Sequence, residues 1–358
     1  MNLNNIPPAC QKKLRQGTVI PAMPLAIDEK RHLDPKHQKA LIRYYLDSGV
    51  GGIAAGVHTT QFEIRSPEFS LLRPVLSLVS KEIDNYSKDT PGQILKISGV
   101  CGKTPQALAE AALAEDLGFH AVLLSLAAMA DSDAGSLIDH CSAVAEIMPL
   151  FGFYLQPSVG GRDLPYSFWR KFAEIENVAG IKIAPFNRYK TLDVVRAVAD
   201  AGREMEIPLY TGNDDNIVAD LLTEYLIPAK GEAKRVRIAG GLLGHWSVWT
   251  RKAVELLSEI HSYTDPGLPI PSYLLSRGQQ ITDANAAFFD AANNYRGCIA
   301  GIHEVLKMQG LMAGTWCLNP DEKLSAGQLE EITRVHNAYP HLNDDEFVRK
   351  NLQKWLSE

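Results

Sequence analysis

Apolar residues alternate along the chain between two spacings. Short runs that are apolar on both faces stand at residues 18–24, 51–56, 94–100, 121–126, 150–155, 178–184, 207–211 and 236–241. Such runs predict parallel strands covered by helices on both sides. Between them the apolar positions move to helical spacing. Asp34 can cap a helix bearing Leu41, Ile42, Tyr45 and Leu46, and Thr104-Pro105 opens another through Leu108, Ala112 and Leu113. Val194, Val195 and Val198 follow Asp193, and Ile217, Leu221 and Leu222 continue the series. The interval after the second strand is longer and carries a charged helix with Lys81, Glu82 and Asp84.

Eight such units predict an α/β fold of the closed (β/α)8 barrel type over residues 1–270. An open doubly wound sheet is the alternative, but no GxGxxG follows the first strand to form a dinucleotide crevice. Beyond about residue 270 only helical spacing remains. One helix is expected to open at Asp283 and to run through Ala287, Phe288, Ala291, Tyr295, Ile299, Ile302, Val305 and Leu306. A second starts at Ser325 and a third at Asp344, ending near Trp355. Residues 271–358 are therefore expected to form a helical extension packed on the barrel or on a neighbouring subunit.

Composition narrows the classes. Of 358 residues, 46% are hydrophobic and 22% charged, which is ordinary for a packed globular chain. The net charge of -6 offers no basic footprint for nucleic acid or an anionic membrane. No apolar run is long enough for a membrane span, and the first residues lack the apolar core of a signal peptide. The five cysteines are irregularly spaced, without a CxxC pair, so reduced thiols and a cytoplasmic setting are expected.

In a barrel of this kind the chemistry sits at the carboxyl ends of the strands. The sixth strand holds Lys182 in the apolar run Gly180-Ile181-Lys182-Ile183-Ala184. A buried amine loses its proton more readily, and a neutral amine attacks carbonyl carbon to form a Schiff base. The bland alternative is a lysine reaching solvent along its own stem. The second strand ends in Gly56-Val57-His58-Thr59-Thr60-Gln61, whose hydroxyls and backbone amides could hold a carboxylate or form an ordinary polar turn. The fifth ends in Phe153-Tyr154-Leu155-Gln156-Pro157, where Tyr154 is either a core aromatic or a proton-shuttling phenol. The seventh ends in Gly212-Asn213-Asp214-Asp215 and the eighth in Gly240-Gly241-Leu242-Leu243-Gly244-His245.

Taken in order, Gly-x-x-Thr-Thr, Tyr-x-x-Pro, Gly-Ile-Lys and Gly-Asn-Asp-Asp resemble the dihydrodipicolinate synthase / N-acetylneuraminate lyase superfamily of class I aldolases, over roughly residues 15 to 300. The resemblance implies an imine between Lys182 and the keto carbon of a 2-oxo acid, either of pyruvate type or a 2-keto-3-deoxy sugar acid. It implies proton relay by Tyr154 and binding of the substrate around Thr59, Thr60, Gly56, Gly212, Asp214 and Gly241. It further implies a lyase, aldolase or dehydratase that needs no metal or organic cofactor, and a homotetramer or homodimer.

The departures from the family pattern are specific. After the second strand Gln61 and Phe62 replace Gly-Glu, with Glu63 one place late. Ala127-Ala128-Met129 stands where the synthases carry a Pro-Tyr-Tyr whose second tyrosine serves a neighbouring subunit, and Val159 stands where they carry a carboxylate-binding arginine, with Arg162 three residues on. Condensation of aspartate semialdehyde with pyruvate is therefore not expected, and a coupled reductase assay checks this. Two rival readings differ in class. His58, Asp214 and His245 are residue types that could ligate Zn²⁺ or Mn²⁺, and a barrel retaining Lys182 could bind an oxo acid without turning it over.

Overall fold

The computed structural model describes residues 1–88, 93–229 and 231–357. The strands are β1 (Val19–Pro21), β2 (Gly52–Ala55), β3 (Leu95–Val100), β4 (Ala121–Leu124), β5 (Leu150–Leu155), β6 (Val178–Ala184), β7 (Leu209–Thr211), β8 (Glu224–Ile227) and β9 (Lys234–Leu243). Eight of them run parallel in the order β1-β9-β7-β6-β5-β4-β3-β2. The seam between β1 and β2 is closed by the Ala22–Ala54 bridge and the hydrogen bond from Met23 N–H to the Ala54 carbonyl, 2.8 Å. With helices between successive strands, this is the (β/α)8 barrel expected from the apolar spacing.

Two layers of apolar side chains follow from strand alternation. Ile20, Ala54, Ile97, Leu123, Phe151, Phe153, Tyr210 and Leu242 fill the barrel interior. The opposite faces pack outward on the helices, as Ile53, Val122, Tyr154, Ile181 and Ile183 do. A helix that the strand-and-helix rhythm does not announce, Pro8–Gln16, stops the amino-terminal end of the barrel. It buries Cys10 and Leu14 in the interior cluster, and the Leu14 carbonyl accepts the Tyr210 hydroxyl at 2.9 Å.

Several helix starts agree with their sequence signals. The Asp34 carboxylate accepts the N–H groups of Lys36 and His37, both at 3.1 Å, and the helix Pro35–Ser48 ends at Gly49 in the left-handed region. Asp133 caps the helix Ala134–Ile147 by accepting from Ser136 N–H at 2.9 Å. The charged segment falls in the helix Leu72–Tyr86.

Other expectations need correction. The eight barrel strands are joined, among the described residues, by a ninth that was not expected: β8 pairs antiparallel with the first half of β9. The helix bearing Ile217, Leu221 and Leu222 ends at Thr223, and Tyr225 and Leu226 already belong to β8. The long helix expected from Asp283 is two helices, Ser272–Phe288 and Cys298–Met308. The link between them turns through Asp290, Asn294 and Tyr295, all with positive φ. The remaining helices are Gln328–Ala338 and Asp345–Leu356, the latter preceded by Asp344, which accepts the Tyr44 hydroxyl at 2.8 Å. The extension therefore packs on the barrel of its own chain. Among the described residues no helix is long and apolar enough to cross a membrane.

Candidate active site

A cavity of about 50 Å³ opens at the carboxyl ends of β2, β5, β6 and β7, with Lys182 on its wall. Lys182 is 7% exposed, and no hydrogen-bond partner for its Nζ is found among the described residues. The centroid of the Phe153 ring on β5 lies 4.5 Å from Nζ, and the two residues face each other across the β5–β6 pairing. Burial pushes the amine below its usual range, and the Asp214 carboxylate opposes that shift. Burial in turn pushes Asp214 up, against the His245 N–H that its Oδ1 accepts at 2.8 Å and against the Lys182 charge. The result is an amine and a carboxyl in one dry cavity with their pKa values drawn toward each other, a recurring property of reactive sites.

Gly212 makes the lysine's position possible. A methyl group there would stand 2.6 Å from Lys182 Cε and 2.8 Å from the Ala184 side chain. The stem of Lys182 thus passes over the residue just after β7, which has no side chain, and Asp214 follows two residues on. His58 lines the same cavity, and burial together with the Lys182 charge lowers it to about 4, so it is a neutral imidazole at pH 7.

The turn after β2 is built as expected but commits its hydroxyls inward. Thr59 Oγ1 donates to the Ala22 carbonyl at 2.5 Å, and Thr60 Oγ1 to the Met23 carbonyl at 2.7 Å. Thr59 lines the cavity and Thr60 lies behind it. What the turn presents to an anion is therefore its leading backbone N–H groups rather than two hydroxyl donors. Gly56, with φ +70°, only turns the chain out of β2, and its carbonyl accepts from Arg65 at 3.0 Å. Gly241 is packed under the Trp246 ring, which a Cβ would meet at 2.5 Å, so it makes room for an aromatic and does not line the Lys182 cavity.

Tyr154 is not brought to Lys182. Its side chain faces outward, 1% exposed, against the ring of Trp169 at 5.4 Å, and its hydroxyl oxygen accepts from Leu164 N–H at 3.2 Å. The interior-facing residue of β5 at that level is Phe153. Alternation along a strand makes the two exclusive: one residue of offset turns a side chain from the cavity to the helices. Arg162 also stays away from the cavity, donating to the carbonyls of Met129 at 2.5 Å and Ser132 at 3.1 Å.

The possible metal ligands are likewise separated. His58 and Asp214 share the cavity, but the His245 ring stacks on Phe288, 5.6 Å away, with Nδ1 facing the Asn285 amide at 3.3 Å. Among the described residues, no group of three or more histidine, cysteine, aspartate or glutamate side chains stands close enough to hold a metal. The wall also includes residues that the strand-end rule does not reach. Phe186 follows β6, Phe289 and Tyr295 come from the link between the C-terminal helices, and Cys298 opens the second of them. Asn293, Asn294 and Gly297 are turn formers in that link and were the available signal that Tyr295 is not on a helix.

Comparison with known proteins agrees with this architecture. The dihydrodipicolinate synthetase family matches residues 15–224, more than half of the chain, and the chain belongs to that family. Among solved structures, a monomeric dihydrodipicolinate synthase variant superposes with a TM-score of 0.72 at 18% identity, covering 92% of this chain and 98% of its own. N-acetylneuraminate lyase from Fusobacterium nucleatum complexed with pyruvate gives 0.69 at 17% identity, over 92% and 99% of the two chains. Dihydrodipicolinate synthase from Acinetobacter baumannii complexed with pyruvate gives 0.68 at 19%, over 90% and 98%. At these identities the likeness is one of fold. No curated protein matches the sequence.

Proposed function

We propose that this chain is a Schiff-base-forming lyase or aldolase that binds a small 2-oxo acid of pyruvate type as an imine on Lys182. The observation that carries the reading is a lysine amine buried on the wall of a largely apolar cavity, with no hydrogen-bond partner among the described residues and a carboxyl as its charge counterweight. Such an amine is held partly neutral, and attack on a keto carbon is the reaction a neutral amine performs. Family membership and two relatives of the same fold with bound pyruvate support the choice of ligand.

In this reading the 2-oxo acid places its carboxylate at the turn His58–Thr60 and its keto carbon at Lys182 Nζ. Imine formation turns the carbonyl into an electron sink, so a bond to the adjacent carbon breaks or forms through the enamine. The second reactant meets Leu155, Val159, Phe186 and Phe289, and none of the described lining residues is an arginine. A partner aldehyde without its own carboxylate fits this wall better than aspartate semialdehyde or a polyhydroxylated sugar acid does.

Borohydride reduction in the presence of pyruvate and a panel of 2-keto-3-deoxy acids, followed by peptide mass spectrometry, tests the proposal. A reduced adduct on the Lys182 peptide is expected with pyruvate. The reading fails if no member of the panel labels the protein, or if the label survives Lys182→Ala.

A further inference from the structure

The cavity still needs a proton donor for the keto oxygen, and the two places where the family pattern would supply a tyrosine do not provide one. Tyr154 faces the helices, and Ala127-Ala128-Met129 stands after β4. A different phenol reaches the cavity: Tyr295, from the link between the helices Ser272–Phe288 and Cys298–Met308. Its ring meets Phe186 edge to face at 6.0 Å, and its hydroxyl interacts with the Gln156 side chain after β5.

The way this residue is held argues for function. Asp290, Asn294 and Tyr295 have φ of +57°, +54° and +65°, and Phe186, which Tyr295 touches, has +50°. None is a glycine, and a tyrosine or phenylalanine holds a left-handed conformation only where its surroundings enforce it. Here they do. Asp290 Oδ2 accepts from Gly297 N–H at 3.0 Å and from the Ser325 hydroxyl at 2.5 Å, while Oδ1 accepts from the Asn293 amide at 2.7 Å. Gln328, at the start of the next helix, donates to the Gly297 carbonyl at 3.0 Å. The C-terminal extension thus acts as a clamp on a strained link, and the link delivers one phenol to the mouth above Lys182.

We infer that Tyr295 is the proton donor and acceptor of the imine-forming reaction, supplied by the chain's own C-terminal extension; this rests on the proposal that Lys182 forms the imine. As the amine adds to the keto carbon, a C–N bond forms, the C=O π pair moves to oxygen, and that oxygen takes the Tyr295 proton. The nitrogen returns one proton to the phenolate, giving a neutral carbinolamine. A second donation from the phenol lets the hydroxyl leave as water while the nitrogen lone pair closes the protonated imine. The phenolate then takes the proton released as the imine becomes its enamine, which restores the phenol. Burial, with smaller contributions from Asp215, Cys298 and Asp214, raises the Tyr295 pKa and keeps it a donor between turnovers.

The test follows exchange of the pyruvate methyl protons in D₂O by NMR, which reports enamine formation without a second reactant, alongside the rate and endpoint of borohydride trapping. Wild type, Lys182→Ala, Tyr295→Phe and Tyr154→Phe are compared, with melting curves for each. Tyr295→Phe keeps the ring on Phe186. It is expected to slow exchange and trapping about a hundredfold or more while reaching the same trapped endpoint on Lys182. Tyr154→Phe is expected to exchange as wild type does. If wild type exchanges, Lys182→Ala does not, and Tyr295→Phe matches wild type, the assignment of Tyr295 is overturned and the imine reading stands. If wild type neither exchanges nor traps, the imine reading is overturned and this assignment with it.

Discussion

Two lysines are buried in the parallel strands, and their surroundings separate structure from chemistry. Lys96 on β3 is 5% exposed, and its Nζ donates to the Ser80 hydroxyl at 3.0 Å and to Asp84 at 2.9 Å. Lys182 on β6 is almost as buried, yet among the described residues no group accepts a hydrogen bond from its Nζ, which lies over the Phe153 ring and shares its cavity with the Asp214 carboxyl. Lys96 lies on the helix side of its strand and reaches a largely exposed acid on the helix Leu72–Tyr86. Lys182 points into the barrel mouth. Burial of a lysine is thus not in itself a sign of catalysis; burial without a partner is, because an unpaired ammonium is costly in a dry site and the neutral amine is favoured.

The comparison can be broken most decisively by exchanging both lysines for methionine. Lys182→Met should abolish the borohydride-trapped adduct altogether while leaving the melting temperature unchanged or raised, because an unpartnered amine is replaced by an apolar chain of similar length. Retained labelling, or a large loss of stability, would place Lys182 among the structural lysines.

The next effect comes from the glycine beneath the lysine stem. Gly212→Ala forces Lys182 Cε to move from a 2.6 Å clash. A displacement of about 1 Å at a reacting group costs on the order of a hundredfold in rate. The expected outcome is a trapping rate reduced by that factor with the fold intact by circular dichroism. An unaltered rate would show that the stem is free to take another path.

The electrostatic half of the comparison is sharpened by Asp214→Asn. In the wild type, trapping should accelerate as pH rises through the lowered pKa of Lys182, since only the neutral amine attacks. The Asp214 carboxylate favours the ammonium, so its removal should move this limb of the profile to lower pH. A shift to higher pH, or none, would mean that the two groups do not sense each other.

Lys96→Met should have the smallest effect. It leaves trapping untouched and removes two hydrogen bonds, one of them to a largely exposed carboxylate. The loss is about 1 kcal/mol, close to 2 °C in melting temperature for a chain of this size. Slower trapping in this variant would mean that the barrel transmits strain between β3 and β6.

The neighbouring strands β5 and β6 show where sequence reading works and where it stops. On β6, Lys182 is the one charged residue in a run otherwise apolar, and its place on the strand was legible for that reason. On β5, Phe153 and Tyr154 are adjacent aromatics, and either assignment satisfies an apolar strand. The tyrosine was the natural choice by motif, but its partners Trp169 and Leu164 N–H lie on the helix side. The same limit applies to Gln61, which replaces a family glycine after β2. It takes a positive φ, +67°, a conformation that glycine adopts most readily. Its side-chain oxygen accepts Leu318 N–H at 2.6 Å, which ties the C-terminal segment to the barrel. A departure from the family pattern at one end of the chain is explained by a contact with the other.

By itself the sequence determined the strand–helix rhythm, the closed parallel barrel, the helical extension and the lysine on the sixth strand. These depend on local spacing of apolar residues and on the rule that a barrel carries its chemistry at the carboxyl ends of its strands. Only the tertiary structure decided which aromatic faces Lys182, that Thr59 and Thr60 spend their hydroxyls on the Ala22 and Met23 carbonyls, and that Tyr295 arrives from more than a hundred residues away. Strand alternation leaves adjacent residues equally eligible until packing fixes the register. A link bent through left-handed residues has no periodic signature at all, because the contacts that hold it there come from distant parts of the chain.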